Sequence, residues 1–389
     1  MKILIVIPAI GEVYGGPSRI ALDLAYAFTR QNIEIFLVTT NANGQNKLDV
    51  TLNVWIKQNG YQIQYFPYFS FRDYKFSFSL HQWLFENVKE FDLVNIISNF
   101  SIPNLSAYWA CQKYNVPYVI NPQGMLEPWA LQYKGIKKKI YYQLLEKPSI
   151  SKACALQMLS RSESEKIKSL DLKVPLFIAP NGINLEDCNF DVDSSIFLDR
   201  FPNTKNRQLI LFLGRIDPKK GLDLLAPAFA KVYQKFPNTH LVIAGPDNVG
   251  YLPTVKNYFE ELGCLDGVTF TGMLTGEMKY SALSAASIYV APSYSEGFSM
   301  SILEGMASGL PCIFTTGCNF PEAQETNTAY VVDIDSESIE KALLKCLENP
   351  TEAKQMGHRA QKFILENYTW DEIAKKLIKV YQKIIDKKN

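Results

Sequence analysis

The sequence has few of the side chains that build metal sites and disulfide frameworks. Its 389 residues include only three histidines (His81, His240 and His358), and none of them is spaced to share a metal ion with another ligand. The seven cysteines are scattered, odd in number and contain no C-x2-C pair. Neither a zinc framework nor a disulfide scaffold is therefore indicated, and we expect no metal site.

Long apolar runs and a dominant charge are missing as well. No run approaches the roughly 18 residues of a membrane span. The opening segment, Met1–Pro8, has a short apolar core that leads into a glycine loop rather than a cleavage site, which favours a buried strand over a secretory signal. The net charge of +1 gives no general attraction to nucleic acid. The expected location is the cytoplasm.

What the chain has is a repeated alternation of short apolar runs and helical patterns. Hydrophobic residues make up 47% of a chain that is long enough for two domains. The runs that predict buried parallel strands are Ile3–Ile7, Glu34–Thr39, Asp92–Ile97, Val116–Ile120, Gln208–Leu213, His240–Ala244, Val268–Thr271, Ala286–Val290 and Pro311–Thr315. They form two series, separated by a turn at Pro180-Asn181-Gly182 and a polar stretch over 187–206. We predict an α/β protein with two Rossmann-like, doubly wound domains, 1–182 and 183–368, facing each other across a cleft.

A glycine-rich loop follows the first predicted strand. Gly11, Gly15 and Gly16 precede Pro17-Ser18, where a helix is predicted to begin. Glycines at such a turn let backbone N–H groups approach a diphosphate at the helix N-terminus. The spacing is not G-x-G-x-x-G, so a nicotinamide site is not indicated. A simple tight turn is the alternative.

Two glutamates lie in the segment 294–309, after the apolar run 285–291. Glu296 falls in a predicted strand-to-helix loop, and Glu304, separated from it by seven residues, lies about one turn into the helix. In open α/β sheets, ligands bind outside the carboxyl ends of the strands, at loops of this kind. Two ordinary interpretations stay open: Glu304 as the partner of Ser301 in a capping box, and Glu296 as a solvated loop acid.

A basic motif, Gly214–Gly221, comes directly after the first strand of the second series. Arg215 offers a planar fork for phosphate oxygens, and Lys220 a mobile point charge. Both cations would oppose the charge that builds on a departing nucleoside diphosphate. Lys219 is interpreted as a solvated residue of the same turn.

Together, the glycine loop, the Pro180-Asn181-Gly182 turn, the Gly214–Gly221 motif and the E-x7-E segment resemble the retaining nucleotide-sugar glycosyltransferases of family 4, which have the GT-B fold. The resemblance covers almost the entire chain. It implies metal-independent transfer of a hexosyl unit from a UDP- or GDP-linked sugar, with no cofactor besides that co-substrate. The acceptor would be a glycan or a lipid-linked sugar, as in polysaccharide or cell-envelope assembly. Domain 1–182 would bind the acceptor, domain 183–368 the donor, and a C-terminal helix, 369–389, would pack back on the first domain.

The resemblance also assigns site residues. Catalytic roles fall to Arg215, Lys220 and Glu296. Donor-binding roles fall to Gly15, Gly16, Gln123, Phe298, Ser299, Met300 and Glu304. By similarity, the amides near Gly16 and the two cations hold the diphosphate, Glu296 and the amides of 298–300 contact the donor sugar, and Glu304 binds ribose hydroxyls.

The chain departs from many relatives at two places in the first domain. Gln123 stands where they carry His or Arg, and 157–160 lacks the His and Thr that often precede the Ser. Glutamine can hydrogen-bond a donor sugar but cannot act as a general base, so that role does not carry over. The diphosphate site is untouched by these differences.

Two other functions fit the same fold. A nucleotide-sugar epimerase would need titratable groups around the sugar, and a non-catalytic sugar- or nucleotide-binding protein would have less need for two cations on a leaving group.

Two surface features also have alternatives. The aromatic stretch 61–80 is either a satellite core or a surface that contacts sugar or membrane. A basic amphipathic helix with Lys134, Lys137, Lys138 and Lys139 is either a solvated face or a peripheral contact with anionic lipid at the inner face of the membrane. The oligomeric state stays open.

Overall fold

The computed structural model describes residues 1–71, 74–126, 139–186, 188 and 192–388, which form two compact units. The first comprises Met1–Asn181 and Trp370–Asn389, and the second comprises Gly182–Thr369. The predicted boundary after residue 182 and the return of the chain at residue 369 each lie within one residue of these bounds. Lys134, Lys137 and Lys138 lie outside the described residues.

The first unit is built on a mostly parallel sheet, and the first strand of the chain lies in the interior of that sheet. The strands are β1 (Lys2–Ala9), β2 (Glu34–Thr40), β3 (Ala42–Asn43), β4 (Asn46–Lys47), β5 (Trp55–Gln58), β6 (Tyr61–Phe66), β7 (Phe69–Phe71), β8 (Tyr74–Phe76), β9 (Leu93–Ile97), β10 (Tyr118–Asn121), β11 (Ala155–Met158) and β12 (Leu176–Ile178). The main sheet has the order β12-β11-β10-β9-β1-β2-β6-β5, in which only β5 runs antiparallel to its neighbour. The chain winds outward from β1 to β6 and then returns to β9, so β1 and β9 flank a topological switch point.

Helices cover the faces of this sheet. They are α1 (Gly16–Arg30), α2 (Phe78–Asn87), α3 (Ile102–Tyr114), α4 (Lys147–Ile150, preceded by a π-helical turn at Tyr142–Glu146) and α5 (Arg161–Ile167). The C-terminal helix, Trp370–Asp386, belongs to the same unit. It buries Trp370 and Tyr381 among the side chains of β1 and α1, and the Tyr381 hydroxyl accepts a hydrogen bond from Asn95 Nδ2 at 2.9 Å.

The second unit repeats the doubly wound plan. Its strands are β13 (Gln208–Leu213), β14 (Thr239–Ala244), β15 (Val268–Gly272), β16 (Ile288–Ala291), β17 (Cys312–Thr315) and β18 (Tyr330–Val332). Its helices are α6 (Ser195–Arg200), α7 (Leu222–Lys235), α8 (Leu252–Glu261), α9 (Gly276–Ala285), α10 (Met300–Ala307), α11 (Glu322–Glu325), α12 (Ser336–Glu348) and α13 (Pro350–Asn367). The sheet has the order β15-β14-β13-β16-β17-β18 and is parallel throughout, with its switch point between β13 and β16.

Two segments contain secondary structure that the sequence analysis did not predict. The segment 187–206, predicted to be irregular, contains α6, whose Phe197 is fully buried in the core of the second unit. The aromatic stretch 61–80 contains β6 and the antiparallel pair β7–β8, and its first part agrees with a satellite core, whereas contact with sugar or membrane stays a prediction. Its first rings, including Tyr61, are buried, whereas Phe69 and Phe78 are exposed.

Candidate functional site

The two loops that follow β13 and β16 touch each other at the switch point of the second sheet. The amide of Tyr294 donates to the carbonyl of Lys219 at 2.9 Å. Gly221 has a φ of 70°, and a Cβ at this position would lie 2.0 Å from the carbonyl oxygen of Pro292. Only glycine fits such an approach. The Gly214–Gly221 motif and the segment that begins the E-x7-E motif are therefore parts of one site.

The central contact of this site is the ion pair of Lys220 and Glu296. The lysine Nζ donates to Glu296 Oε1, which also accepts from the Ser293 hydroxyl at 2.8 Å. The two charged side chains are 14% and 13% exposed. The backbone of Glu296 is fixed as well, because its amide donates to Gly317 and its carbonyl accepts from Asn319 Nδ2. The carboxylate is thus held in place and hydrogen-bonded, which rules out the solvated loop acid.

Glu304 forms a second ion pair with a lysine that the sequence did not single out. Lys279 Nζ, on α9, donates to Glu304 Oε1 at 2.8 Å, and both side chains are mostly buried. The capping-box interpretation is wrong: α10 begins at Met300, so Ser301 lies inside the helix, where its hydroxyl accepts a hydrogen bond from Tyr289. Glu304 therefore faces a cation rather than the end of its own helix.

The N-terminus of α10 presents backbone donors beside the glutamates. Ser299 is the N-cap residue, and no side chain in the described part of the chain caps the helix. The first amides of a helix have no partner within it, and they suit anions or ligand oxygens. The ring of Phe298 packs edge-on against Phe320 and stacks on Tyr368, which fixes the entry to the helix. The predicted donors of 298–300 are thus held on a rigid turn.

Arg215 carries the exposed cation of the site. The amides of its neighbours Gly214 and Ile216 donate to the carbonyls of Ala244 and Pro246, both at 2.9 Å. The side chain itself is exposed and forms no ion pair or hydrogen bond with the residues that the structure describes. Its backbone is anchored while its guanidinium can reach a ligand.

In the first unit, the glycine loop leads into the uncapped N-terminus of α1. Gly15 is the N-cap residue, with a φ of 67°, and no side chain of the described residues bonds to this end of the helix. Ser18 ties the helix to the loop, because its hydroxyl donates to the carbonyl of Gly11 at 3.2 Å. A Cβ at Gly15 or Gly16 would meet nothing within 4 Å. Packing within the chain therefore does not demand a small residue at Gly16, which suits the approach of a ligand.

Gln123 is held by an amide pair that the sequence did not predict. Its Nε2 donates to Asn181 Oδ1 at 3.1 Å, and Asn181 Nδ2 donates to Gln123 Oε1 at 3.0 Å. The Nε2 also contacts Asn121 Oδ1 at 3.0 Å. The next amide, that of Gly124, donates to the buried carboxylate of Glu163. The turn that ends the first unit thus orients a candidate donor-binding residue.

The candidate residues are divided between the two units. Arg215, Lys220, Glu296, Glu304 and the segment 298–300 lie on the loops and the helix that follow β13 and β16. In the first unit, Gly15 and Gly16 lie where the glycine loop meets α1, and Gln123 lies on the loop after β10. The residues that sequence reasoning missed are Asn181, Lys279, Ser293 and Asn319. Ser293 and Asn181 had a local signal, since one lies three residues before Glu296 and the other in a motif already noted.

No group of three or more His, Cys, Asp or Glu side chains in the described ranges is arranged to hold a metal ion. No helix in the same ranges combines the length and apolarity needed to span a membrane.

The two doubly wound units define a protein of the GT-B fold. Solved structures agree over nearly the whole chain. HepE of Anabaena, in complex with UDP, matches with a TM-score of 0.77 and 16% identity over 98% of this chain and 100% of that one. Sucrose-phosphate synthase of Thermosynechococcus elongatus matches with a TM-score of 0.75 and 17% identity over 100% of both chains. At these identities the likeness shows the fold.

Sequence comparisons identify the family. Residues 14–187 match the model for Glycosyltransferase Family 4, and residues 195–363 match that for Glycosyl transferases group 1. The chain belongs to the family 4 glycosyltransferases.

Three curated relatives are 24% or 28% identical to this chain. An uncharacterized glycosyltransferase of Methanocaldococcus jannaschii is 28% identical over 61% of this chain and 62% of the relative. The phosphatidyl-myo-inositol mannosyltransferase of Mycobacterium tuberculosis is 24% identical over 65% of this chain, and the chain spans 63% of its length. The mannosyltransferase of the same name from Mycobacterium leprae is 24% identical over 99% of this chain and 97% of its own length.

Proposed function

We propose that this protein transfers a hexosyl unit from a UDP- or GDP-linked sugar to a glycan or lipid-linked acceptor, with retention of anomeric configuration. The observation that carries the proposal is the Lys220–Glu296 pair at the switch point of the second sheet. A cation and an acceptor of sugar hydroxyls are held together there, beside an uncapped helix N-terminus. A nucleotide sugar requires this combination, because its diphosphate and its sugar must be held side by side.

The cations of the site suit the diphosphate. An ammonium carries three N–H donors, and Lys220 directs one at Glu296, so further donors can bond phosphate oxygens. Arg215 adds an exposed planar fork for two oxygens of one phosphate. As the bond between the sugar and the diphosphate breaks, negative charge grows on the leaving group, and fixed cations stabilise that charge. We assign the catalytic contribution to these two residues, with Glu296 orienting Lys220.

The carboxylates act in binding. Glu296 accepts from Lys220 and Ser293 at one oxygen, which leaves the second oxygen for hydroxyls of the donor sugar. The amides of 298–300 lie on the adjoining turn. Glu304, held by Lys279, accepts hydrogen bonds from the ribose. In retaining glycosidases, by contrast, one of the two carboxylates attacks the sugar carbon, a role that the anchored Glu296 does not need here.

The transfer itself proceeds on the face from which the diphosphate leaves. The acceptor hydroxyl attacks the anomeric carbon from that side, and an oxygen of the departing phosphate takes its proton. Gln123 hydrogen-bonds the donor without exchanging a proton. No titratable side chain is needed at the sugar, which favours transfer over epimerisation.

The relatives direct the proposal toward lipid-linked or glycan acceptors of the cell envelope. The two mycobacterial relatives are phosphatidyl-myo-inositol mannosyltransferases by name. We therefore place GDP-linked mannose among the first donors to test, together with UDP-linked hexoses.

Release of nucleoside diphosphate, measured with and without acceptor, tests the proposal. We expect acceptor-stimulated release for one donor, a fall of about tenfold or more in Lys220→Ala, and a much smaller change in the neighbouring Lys219→Ala. An epimerase would show no stimulation by acceptor, and a non-catalytic binding protein would release nothing. Equal effects of the two lysine substitutions would show that Lys220 has no special role.

A further inference from the structure

A pocket of about 290 Å³ lies at the switch point of the first sheet. The end of β1 and the segment 98–103 that follows β9 line it, together with Tyr14, Pro17 from the start of α1, Lys75 from β8 and Met125. Switch points are where open α/β sheets bind ligands. The volume is at the lower end of the range for ligand pockets, which suits a group of about one sugar ring. We call it the switch-point pocket.

One wall of the pocket is a strained and tightly held loop. Ser98 and Phe100 have φ values of 71° and 59°, in the left-handed region that side chains rarely adopt. Glu146 accepts from the Phe100 amide at 2.7 Å, and Asn104 Nδ2 donates to the Ser98 carbonyl at 2.8 Å. Strain of this kind persists only where the surroundings fix the backbone, and it is common at binding sites. The pocket is therefore preformed by its supporting residues.

Lys75 supplies the positive charge of the pocket. Its Nζ bonds the Tyr14 hydroxyl and lies 4.3 Å from the centre of that ring and 5.6 Å from the ring of Tyr68. No acidic side chain in the described ranges forms an ion pair with it. Neutral phenol rings orient an ammonium without cancelling its charge. A lysine held in this way attracts an anionic group of a ligand.

The remaining walls are largely apolar. Ile7, Ile102, Pro103 and Met125 contribute to them. The pocket thus joins a cation that no acidic side chain of the described residues pairs with to surfaces that suit a ring face or an alkyl group. A ligand with an anionic oxygen next to such a group matches both features.

We propose that the switch-point pocket binds the acceptor through an anionic group, a phosphate or a carboxylate, that contacts Lys75. The inference rests on the proposed transferase function and narrows its acceptor to an acidic one. A phosphate-linked sugar and an acidic sugar both carry this chemistry.

Binding of small probes to the full chain tests the proposal. Phenyl phosphate, benzoate and the neutral phenyl β-glucoside would be titrated calorimetrically with UDP or GDP present to occupy the donor site. We expect an anionic probe to bind more tightly than the glucoside, and its affinity to fall by about tenfold or more in Lys75→Met. The preferred anion, phosphate or carboxylate, then identifies the source of the charge.

Two variants separate the charge of Lys75 from a structural effect. Lys75→Arg retains the charge and is expected to bind within about threefold of wild type. Lys113 also lies over two aromatic rings, each at 5.3 Å, but is not part of the pocket, so Lys113→Met should leave binding unchanged. Anion binding that survives in Lys75→Met would overturn the proposal, as would a neutral probe that binds as tightly as the anions. The proposal would also be overturned if neither anion bound.

Repeating the titration in Lys220→Ala separates this inference from the proposed function. Probe binding that depends on Lys75 but not on Lys220 supports the proposed pocket even if no release of nucleoside diphosphate is detected. Binding that depends on Lys220 instead would place the probe in the donor site and overturn the inference.

Discussion

The pH dependence of stability is predicted to depend on one buried carboxyl group, that of Glu146. The side chain is fully buried in the first unit, and burial raises its pKa to about 7, although hydrogen bonds from Asn99 and the Phe100 amide lower it in part. In the unfolded chain the group returns to its ordinary value of 4.5. Glu146→Gln keeps the shape and an acceptor for Phe100 but removes the titration.

The sign and size of the effect follow from proton linkage. Between about pH 4.5 and pH 7 the folded state binds more protons than the unfolded state at Glu146, so stability falls as the pH rises. The contribution is fully present below about pH 4.5 and is lost as the pH passes through about 7. A pKa raised from 4.5 to about 7 corresponds to about 3 kcal/mol. Relative to wild type, Glu146→Gln should therefore gain up to this amount on moving to alkaline pH.

Thermal unfolding of both proteins from about pH 5 to about pH 8.5 measures this difference. For a unit of about 200 residues, about 3 kcal/mol corresponds to roughly 6–12 °C in Tm. Burial lowers the pKa of His240 to about 4, so that histidine contributes stability that is lost as the pH falls through this value, the opposite trend. It is common to both proteins and cancels in the comparison. A difference in Tm that stays constant across the range would refute the reasoning.

Three further predictions concern the second unit. Glu296→Gln should lower kcat by about tenfold or more with an unchanged Tm, because it replaces an anchored acceptor of hydrogen bonds; a wild-type rate would remove this residue from the site. Gly221→Ala should lower the free energy of unfolding, measured with denaturant, by about 3 kcal/mol or more, since the new Cβ meets the Pro292 carbonyl. Gly250 also has a positive φ, 74°, but has open space around it, so Gly250→Ala should lower the free energy of unfolding by only about 1 kcal/mol. We expect one of UDP, GDP or ADP to raise the Tm of the wild-type protein but not that of Arg215→Ala. If the same nucleotide raises the Tm of both proteins, the diphosphate binds elsewhere.

Much of the fold was predictable because its strands are buried on both faces. The run Gln208–Leu213 is confirmed with the predicted bounds, since a central parallel strand is a continuous apolar segment. The edge strands β12 and β18 were missed, because each has three residues and is only partly buried, so the pattern is too short to recognise. The strands β6 and β11 were also missed; β11 is buried but has only four residues.

Helix α6 could not be predicted, because tertiary contacts stabilise it. Its one fully buried side chain, Phe197, lies between Ile196 and Leu198 in a helix of only six residues, so no periodic amphipathic stripe is visible. The Phe197 amide donates to the Ser281 hydroxyl, which in turn donates to the carbonyl of Asp193. These contacts come from a helix more than 80 residues away, which local periodicity does not detect.

In the candidate site, the charged side chains were predictable but their partners were not. Arg215, Lys220 and Glu296 follow strands directly, and the topology of a parallel sheet brings such loops to one edge. Glu304 and Lys279 are 25 residues apart on different helices, and only the packing of those helices brings them together. The sequence therefore predicted which charged side chains lie at this edge of the sheet, but not how each carboxylate is held.

Gln123 shows how two features that are far apart in the sequence form one hydrogen-bonded arrangement. The departure from His or Arg at this position and the turn at Pro180-Asn181-Gly182 have no apparent connection along the chain. In the structure the two amide side chains bond each other in both directions, and the backbone of Gln123 adopts a φ of 52°. A histidine at this position could not form the same pair of bonds. Its imidazole has no carbonyl oxygen, so it cannot accept from Asn181 Nδ2 and donate to Asn181 Oδ1 with the geometry of the glutamine amide. The glutamine is therefore matched to its asparagine, and a change at either residue should disturb the other before it disturbs the fold.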